Sequence, residues 1–181
     1  MLREIAEKIL EELRGILEGI DERQVQDFLD AILSSKRVFL VGKGRSGLMA
    51  SAFASRLVHL GIPAWVVGSP TTPGIQQGDT LLAVTGTGET ETVLDIVEKA
   101  KKAGAKILCI TAKPESRIGR EADLTVKIPA KTKTEFGKSF QPLGSPFEQS
   151  AFLFLEACVI LLMKKLGKTE KEMSKKHTTL E

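Results

Sequence analysis

Two short loops in this sequence combine glycines with side chains that bind anions. Residues 42–47 read Gly-Lys-Gly-Arg-Ser-Gly and residues 85–90 read Thr-Gly-Thr-Gly-Glu-Thr; each follows an apolar run and precedes helical spacing. Glycines at a helix start let free N–H groups approach an anion, and hydroxyl groups satisfy the several acceptor oxygens of a phosphate monoester. The sequence therefore predicts a phosphate site, held largely by the second loop. Its candidate residues are Gly44, Arg45, Ser46, Thr85, Gly86, Thr87, Gly88, Glu89 and Thr90.

Two other interpretations of these loops are weaker. The first loop matches the G-x-G-x-x-G pattern of dinucleotide-binding folds, but that fingerprint also needs an acidic residue about 20 residues further on to bind the ribose. No acidic residue occurs between Asp30 and Asp79, so a dinucleotide site is not expected. Alternatively, Thr87 or Thr90 merely caps the helix that follows the second loop. Capping would explain the presence of one hydroxyl group in this loop but of none of its glycines.

The elements that must position these loops alternate between strands and helices. Apolar runs predict strands at 37–41, 64–67, 80–84, 106–110 and 124–128. Helical spacing predicts helices at 2–19, 22–34, 46–60, 90–103 and 147–166, a short charged helix after Gly167, and a polar loop over 129–146. This alternation predicts an α/β fold, a flavodoxin-like three-layer αβα sandwich with a five-stranded parallel sheet in the order 2-1-3-4-5. In that order strands 1 and 3 are neighbours, so both loops line one crevice.

Composition limits the class of protein. The length of 181 residues suits one domain over 1–181, with a helical extension over 1–35 and helices over 147–178 packed as parts of it. A net charge of only +3 argues against nucleic acid as a partner. The sequence has no CxxC or HExxH motif and no His/Cys cluster, so we expect neither a metal nor another cofactor. Cys109 and Cys158 lie in apolar runs typical of buried, inert thiols.

The apolar segments bear on membranes and on assembly. The first residues mix acidic with apolar side chains, unlike a signal peptide, and the longest apolar run, 151–163, is shorter than the ~20 residues that span a bilayer. We therefore expect a cytoplasmic protein with no membrane partner. The 147–166 helix is apolar on nearly every side, which predicts a homo-oligomer interface, expected in a tetramer, unless one large core covers the helix. The absence of Asn and the abundance of Lys and Glu fit a thermophile.

Several segments together resemble one known family. GKGRS at 42–46 and TGTGET at 85–90 are similar to the two signatures of the sugar isomerase (SIS) domain. Over nearly the whole chain, in order and with little offset, the sequence resembles the 6-phospho-3-hexuloisomerases within that superfamily. The segments that carry this narrower resemblance are Arg56-Leu-Val-His-Leu-Gly61, Thr71-Thr-Pro73, Pro142-Leu-Gly144 with Phe147-Glu148, and Leu166-Gly-Lys-Thr-Glu170 with Lys176-His177.

The resemblance implies an isomerase that interconverts a 3-hexulose 6-phosphate and fructose 6-phosphate through an enediol. A carboxylate partly screened from water can move the proton between the two carbons. From its position alone, Glu148 could equally be such a base or an acidic residue of the first helical turn that interacts with the helix dipole. The resemblance favours the base. A tail histidine is usually exposed and idle, whereas the resemblance implies an acid–base or hydroxyl-polarising role for His177, in its own or a neighbouring subunit's site.

Other roles stay open at this point. Arg45 pairs either with the phosphate or with a structural carboxylate across an interface, and Glu89 either caps its loop or orients a sugar hydroxyl. His59 lies about 20 Å from the first loop along its helix, so it serves that helix's C-terminal carbonyls unless an oligomer brings it to a neighbour's crevice. The alternatives to this isomerase are another sugar-phosphate isomerase of the same fold and a non-catalytic phosphosugar-binding module.

Overall fold

Five parallel strands form one sheet, which helices cover on both faces. The structure is a computed structural model and describes residues 1–177. Its elements are α1 (Leu2–Glu18), α2 (Glu22–Ser34), β1 (Val38–Val41), α3 (Gly44–Leu60), β2 (Ala64–Val66), β3 (Thr80–Val84), α4 (Glu91–Lys102), β4 (Lys106–Thr111), α5 (Arg117–Glu121), β5 (Leu124–Lys127), α6 (Ser145–Leu166) and α7 (Glu170–Ser174). The sheet order is β2-β1-β3-β4-β5, which confirms the prediction. The end of the predicted 147–178 segment, at residue 178, lies outside the described residues.

The strand residues alternate between two apolar clusters, one on each face of the sheet. In β1, Val38 and Leu40 belong to the cluster that α2, α3 and α6 cover. Phe39 and Val41 belong to the cluster that α4 and α5 cover. All four residues are buried, which explains why the strand is a continuous apolar run rather than an alternating one. The predicted three-layer sandwich is thereby confirmed.

Two helices begin earlier than the sequence predicts, and one helix was not predicted. α3 begins at Gly44 rather than at 46, and α6 begins at Ser145 rather than at 147. Pro146 is compatible with the first turn of α6 because an N–H group has no intrahelical partner there. The short α5 has no periodic pattern to predict it; Ser116 caps it by accepting a hydrogen bond from the N–H of Gly119.

Helix α6 packs against the protein along part of its circumference. Phe147, Phe154 and Leu162 are buried, whereas Phe152 and Ile160 are exposed. Within residues 1–177 it is the one helix long and apolar enough to cross a membrane, which corrects the expectation drawn from its most apolar run alone. One such helix is weak evidence for a membrane span, and half of its apolar window is buried inside the protein.

Candidate active site

The carboxyl ends of β1 and β3 open into a crevice at the switch point of the sheet. A cavity of about 280 Å³ lies there, lined by both glycine–hydroxyl loops and by the start of α6. Helices α3, α4 and α6 all begin at this cavity, and none has a side-chain cap on its first N–H groups. These free N–H groups and the helix dipoles favour an anion. The predicted site residues that line the cavity are Gly44, Arg45, Ser46, Thr85, Gly86, Thr87, Thr90 and Glu148.

The first loop is tightly packed because β1 is followed almost at once by α3. A Cβ atom on Gly47 would lie 2.8 Å from the carbonyl oxygen of Gly42, closer than real Cβ atoms come, so only glycine fits. Gly44, which opens the helix, has a φ of 58°, in the left-handed region that glycine adopts readily. This backbone places Arg45 and Ser46 in the first turn of α3, at the crevice.

The second loop offers hydroxyl groups that capping does not use. Thr90 immediately precedes α4, yet its side chain accepts no capping hydrogen bond. The Thr85 hydroxyl accepts a hydrogen bond from the N–H of Gly88 at 3.2 Å, and the Thr87 hydroxyl accepts a longer one from the N–H of Glu89 at 3.4 Å. A hydroxyl that accepts a hydrogen bond still has its own proton to donate. These three threonines can therefore donate to an anion.

Glu148 lies in the first turn of α6, at the edge of the same cavity. Its side chain is 17% exposed and forms a hydrogen-bonded ion pair with Nε of Arg45, whose side chain is 60% exposed. The carboxylate is therefore largely screened from water, as a base for a carbon-bound proton requires. Arg45 therefore pairs with a carboxylate, as one of its two expected roles requires, but this carboxylate belongs to the same chain and does not lie across an interface. Arg45 also lines the cavity.

Glu89 fastens the second loop to α5. Its carboxylate accepts hydrogen bonds from the backbone N–H of Arg117 at 3.1 Å and from Nε of Arg117 at 2.9 Å. These hydrogen bonds hold the pKa of Glu89 below its usual value. A Cβ on Gly88 would lie 1.8 Å from Oγ of Ser116, so Gly88 lets the loop lie against the start of α5. Glu89 and Gly88 therefore shape the loop, and neither lines the cavity that Glu148 lines.

His177 does not line the crevice; it lies at a separate cavity of the same chain. Its ring stacks on that of His59, with centroids 5.0 Å apart, at the C-terminal end of α3. Because α3 rises ~1.5 Å per residue, this pair lies about 20 Å along the helix from Ser46. Burial lowers the pKa of His59, and the nearby His177 lowers it further. Both rings line a separate cavity of about 410 Å³, together with Arg56.

Residues of the loop between β5 and α6 also line the crevice, although no sequence pattern pointed to them. A second cavity of about 550 Å³ adjoins the first, and Lys133 lines both. The neighbouring Thr132 is buried, and its N–H and hydroxyl donate to Glu135, which also pairs with Lys113. Hydrogen bonds from Lys138, and then from Thr132, hold the pKa of Glu135 at about 2. The only sequence signal in this loop was its polarity, because it has no periodic pattern.

The two cysteines behave as the sequence predicts. Cys109 and Cys158 are both free and buried. Burial raises the pKa of each thiol to about 12, so both stay protonated at neutral pH. A thiol that stays protonated is a poor nucleophile, and these residues serve the apolar core.

Comparison with known proteins relates this crevice to a family. The SIS domain family matches residues 31–151. A 3-hexulose-6-phosphate isomerase of Bacillus subtilis is 39% identical over 181 residues, which cover 98% of each chain. One from Methylomonas aminofaciens is 37% identical over 98% of this chain and 96% of its own. A crystal structure of a Methanococcus jannaschii protein is also similar, with a TM-score of 0.87 and 32% sequence identity. The match covers 98% of this chain and 99% of that chain, and that structure led to the inference of a 3-hexulose-6-phosphate isomerase function for the Methanococcus protein.

The match covers the elements that build the crevice. Residues 31–151 include both glycine–hydroxyl loops, all five strands and the start of α6 with Glu148. The chain therefore belongs to the SIS domain family and, within it, to the 3-hexulose-6-phosphate isomerase family. The resemblance seen in the two loops and in the C-terminal segments is thereby confirmed.

Proposed function

We propose that this chain is a 3-hexulose-6-phosphate isomerase, which interconverts D-arabino-hex-3-ulose 6-phosphate and D-fructose 6-phosphate through an enediol. The observation that carries this proposal is a single cavity that joins the starts of three helices to the screened carboxylate of Glu148. The helix starts suit a phosphate, and the carboxylate suits a carbon-bound proton. Identity of 37–39% to named isomerases over nearly the whole chain supports the same reaction.

Glu148 is the base in this proposal. Starting from fructose 6-phosphate, its carboxylate takes the proton from C3, the C2–C3 double bond forms, and O2 gains a proton. Glu148 then donates the proton that it took from C3 to C2 of the enediol. At the same time O3 loses its hydroxyl proton and becomes the carbonyl oxygen. The Arg45 guanidinium, hydrogen-bonded to Glu148, is positioned to stabilise negative charge that develops on the substrate oxygens.

The phosphate group is bound by the hydroxyl groups of the two loops. Ser46, Thr85, Thr87 and Thr90 all line the cavity, next to the free N–H groups at the starts of α3 and α4. These contacts lie on the part of the substrate that does not react. Binding energy from such a remote group orients the reacting carbons against Glu148.

The proposal includes a homo-oligomer, a tetramer, in which a second copy completes the site. An apolar cavity of about 380 Å³ borders Glu148, lined among others by Leu10, Met49 and Phe152. Leu10 and Phe152 are exposed, and exposed apolar side chains this close to the proposed base support a covering copy. His177 lies too far from its own crevice, so its acid–base or hydroxyl-polarising role is proposed for a neighbour's site.

We propose that this reaction belongs to carbohydrate metabolism, in the ribulose monophosphate pathway, which runs either toward formaldehyde fixation or in reverse to supply pentoses. We propose a cytoplasmic location and a thermophilic source. A sequence without Asn and rich in Lys and Glu supports the latter.

A panel of sugar phosphates tests the proposal. The wild-type protein is incubated with fructose 6-phosphate and with pentose and heptose phosphates, and products are identified by NMR. We expect conversion of fructose 6-phosphate alone to the 3-hexulose isomer. Turnover of a pentose or heptose phosphate instead would assign another isomerase of the fold, and binding without turnover of any sugar phosphate would assign a sensor module.

A further inference from the structure

Two cavities meet beside the second loop, and few residues are common to both. The cavity with Glu148 measures about 280 Å³ and its neighbour about 550 Å³. Only Thr87, Thr90 and Lys133 line both cavities, among the described residues. The residues at their junction therefore carry two hydroxyl groups and one ammonium group. A phosphate dianion presents only acceptor oxygens, and all three of these groups can donate to it.

Most other cations around the crevice already have carboxylate partners. Arg45 pairs with a glutamate of α6, Lys113 with a glutamate of the loop after β5, and Arg117 with two glutamates near the start of α4. Within residues 1–177, the ammonium groups of Lys133 and Lys43 have no such partner and no hydrogen bond. Lys43 lines only the smaller cavity, whereas Lys133 lies where the two meet.

The backbone of Lys133 is held in place although its side chain is exposed. On one side, the buried Thr132 donates two hydrogen bonds to Glu135, which itself pairs with two lysines. On the other side, a Cβ atom on Gly144 would lie 3.7 Å from the backbone nitrogen of Lys133. Lys133 is therefore fixed beside the start of α6, the helix that carries Glu148.

We propose that Lys133 binds the phosphate group of the substrate at the junction of the two cavities, together with the hydroxyls of Thr87 and Thr90. This inference rests on the proposed function and assigns a further residue of the same site. The ammonium group neutralises part of the dianion and sets the phosphate at a fixed separation from Glu148. A sugar that lacks the phosphate gains nothing from this contact, so Lys133 contributes to the preference for phosphorylated sugars.

The test compares Lys133→Gln with Lys133→Arg and with a matched control, Lys127→Gln. Lys127 is also exposed, and it lines a different cavity, so its substitution removes the same charge elsewhere. For fructose 6-phosphate, we expect Lys133→Gln to raise KM and the calorimetric Kd about 10- to 100-fold and to leave kcat within about 3-fold. The reason is that a charge-assisted hydrogen bond made equally in ground and transition states is lost. Lys133→Arg keeps a charged donor and recovers most of the affinity.

The other outcomes either contradict phosphate binding by Lys133 or test it independently of the proposed isomerase activity. Equal KM and Kd values for Lys133→Gln and Lys127→Gln overturn it, as does a loss of affinity found only in Lys43→Gln. A fall in kcat without a rise in KM overturns it too. If the wild type binds fructose 6-phosphate but turns over no sugar phosphate, the proposed isomerase fails, while the calorimetric Kd of Lys133→Gln still decides the role of Lys133.

Discussion

Replacing Glu148 by Gln removes the proposed base and keeps the shape of the side chain. The amide cannot accept the carbon-bound proton, so we expect kcat to fall by about 10²–10⁴-fold with KM little changed. At 1.36 kcal/mol per factor of ten, this corresponds to a barrier higher by about 2.7–5.4 kcal/mol. Binding should be spared because, in the proposed site, the phosphate contacts come from the two glycine–hydroxyl loops and Lys133, not from Glu148.

The same substitution costs the fold little, which separates catalysis from stability. The ion pair of Glu148 involves an Arg45 side chain that is 60% exposed, and such pairs contribute about 0–1 kcal/mol. The interaction of a first-turn carboxylate with the helix dipole adds about 0.3–1 kcal/mol. The variant should therefore lose less than about 2 kcal/mol of unfolding free energy, too little to unfold a stable domain. A large fall in kcat would then reflect loss of the catalytic base and not loss of folded protein.

The assay combines turnover of fructose 6-phosphate with solvent deuterium exchange into its carbon-bound positions. The wild type should catalyse both, unless a shielded proton is returned without exchange, and the variant should catalyse neither. Glu121→Gln is the matched control: it breaks an ion pair with Lys101 at 2.9 Å, on α5 and away from the crevice, and should leave kcat unchanged. Near-normal turnover by Glu148→Gln would show that Glu148 is not the base and would make Glu89 or His177 the next candidate.

Three other outcomes test the phosphate loop, the loop after β5 and the assembly. Thr87→Val removes a charge-assisted hydrogen bond of ~1.5–3 kcal/mol, so calorimetry should show fructose 6-phosphate binding about 10-fold weaker or worse; unchanged affinity contradicts the assignment. The pKa of Glu135, about 2 against a usual 4.5, means that its ion pairs stabilise the fold above pH 4.5 and that this contribution is lost as pH falls toward 2. The difference in urea unfolding between wild type and Glu135→Gln should shrink over that range, and a constant difference contradicts the pKa. Light scattering at micromolar concentration should give four times the 19.7 kDa of one chain, and a particle of 19.7 kDa contradicts the oligomer and a role for His177 in a neighbour's site.

The elements that the sequence predicts well are those with a local physical cause. The bounds of α2 follow from its apolar spacing and from Asp21, whose side chain accepts a hydrogen bond from the N–H of Arg23 at 2.7 Å. The parallel strands follow from short apolar runs buried on both faces. The place of the crevice follows from topology, because the loops after β1 and β3 lie side by side.

The parts that the sequence did not predict depend on contacts between distant segments. Arg45 and Glu148 are 103 positions apart, and no pattern within either segment indicates that they pair. Lys133 reaches the crevice because partly buried hydrogen bonds between Thr132 and Glu135 shape an irregular loop. The stacking of His177 on His59 likewise depends on how the C-terminal segment folds back against α3.

An apolar contact joins the proposed phosphate loop to the helix that carries the proposed base. Glu148 follows Phe147, a buried side chain whose Cδ1 would lie 3.2 Å from a Cβ atom placed on Gly86 in the second loop. Gly86 is itself held by β4, since its carbonyl accepts hydrogen bonds from the hydroxyl of Thr111 and the N–H of Ala112, each at 3.2 Å. The start of α6 therefore rests directly on the phosphate loop, and a larger residue at 86 would push the two apart. In the proposed site, where that loop anchors the phosphate, this contact would set which substrate carbon lies opposite the carboxylate.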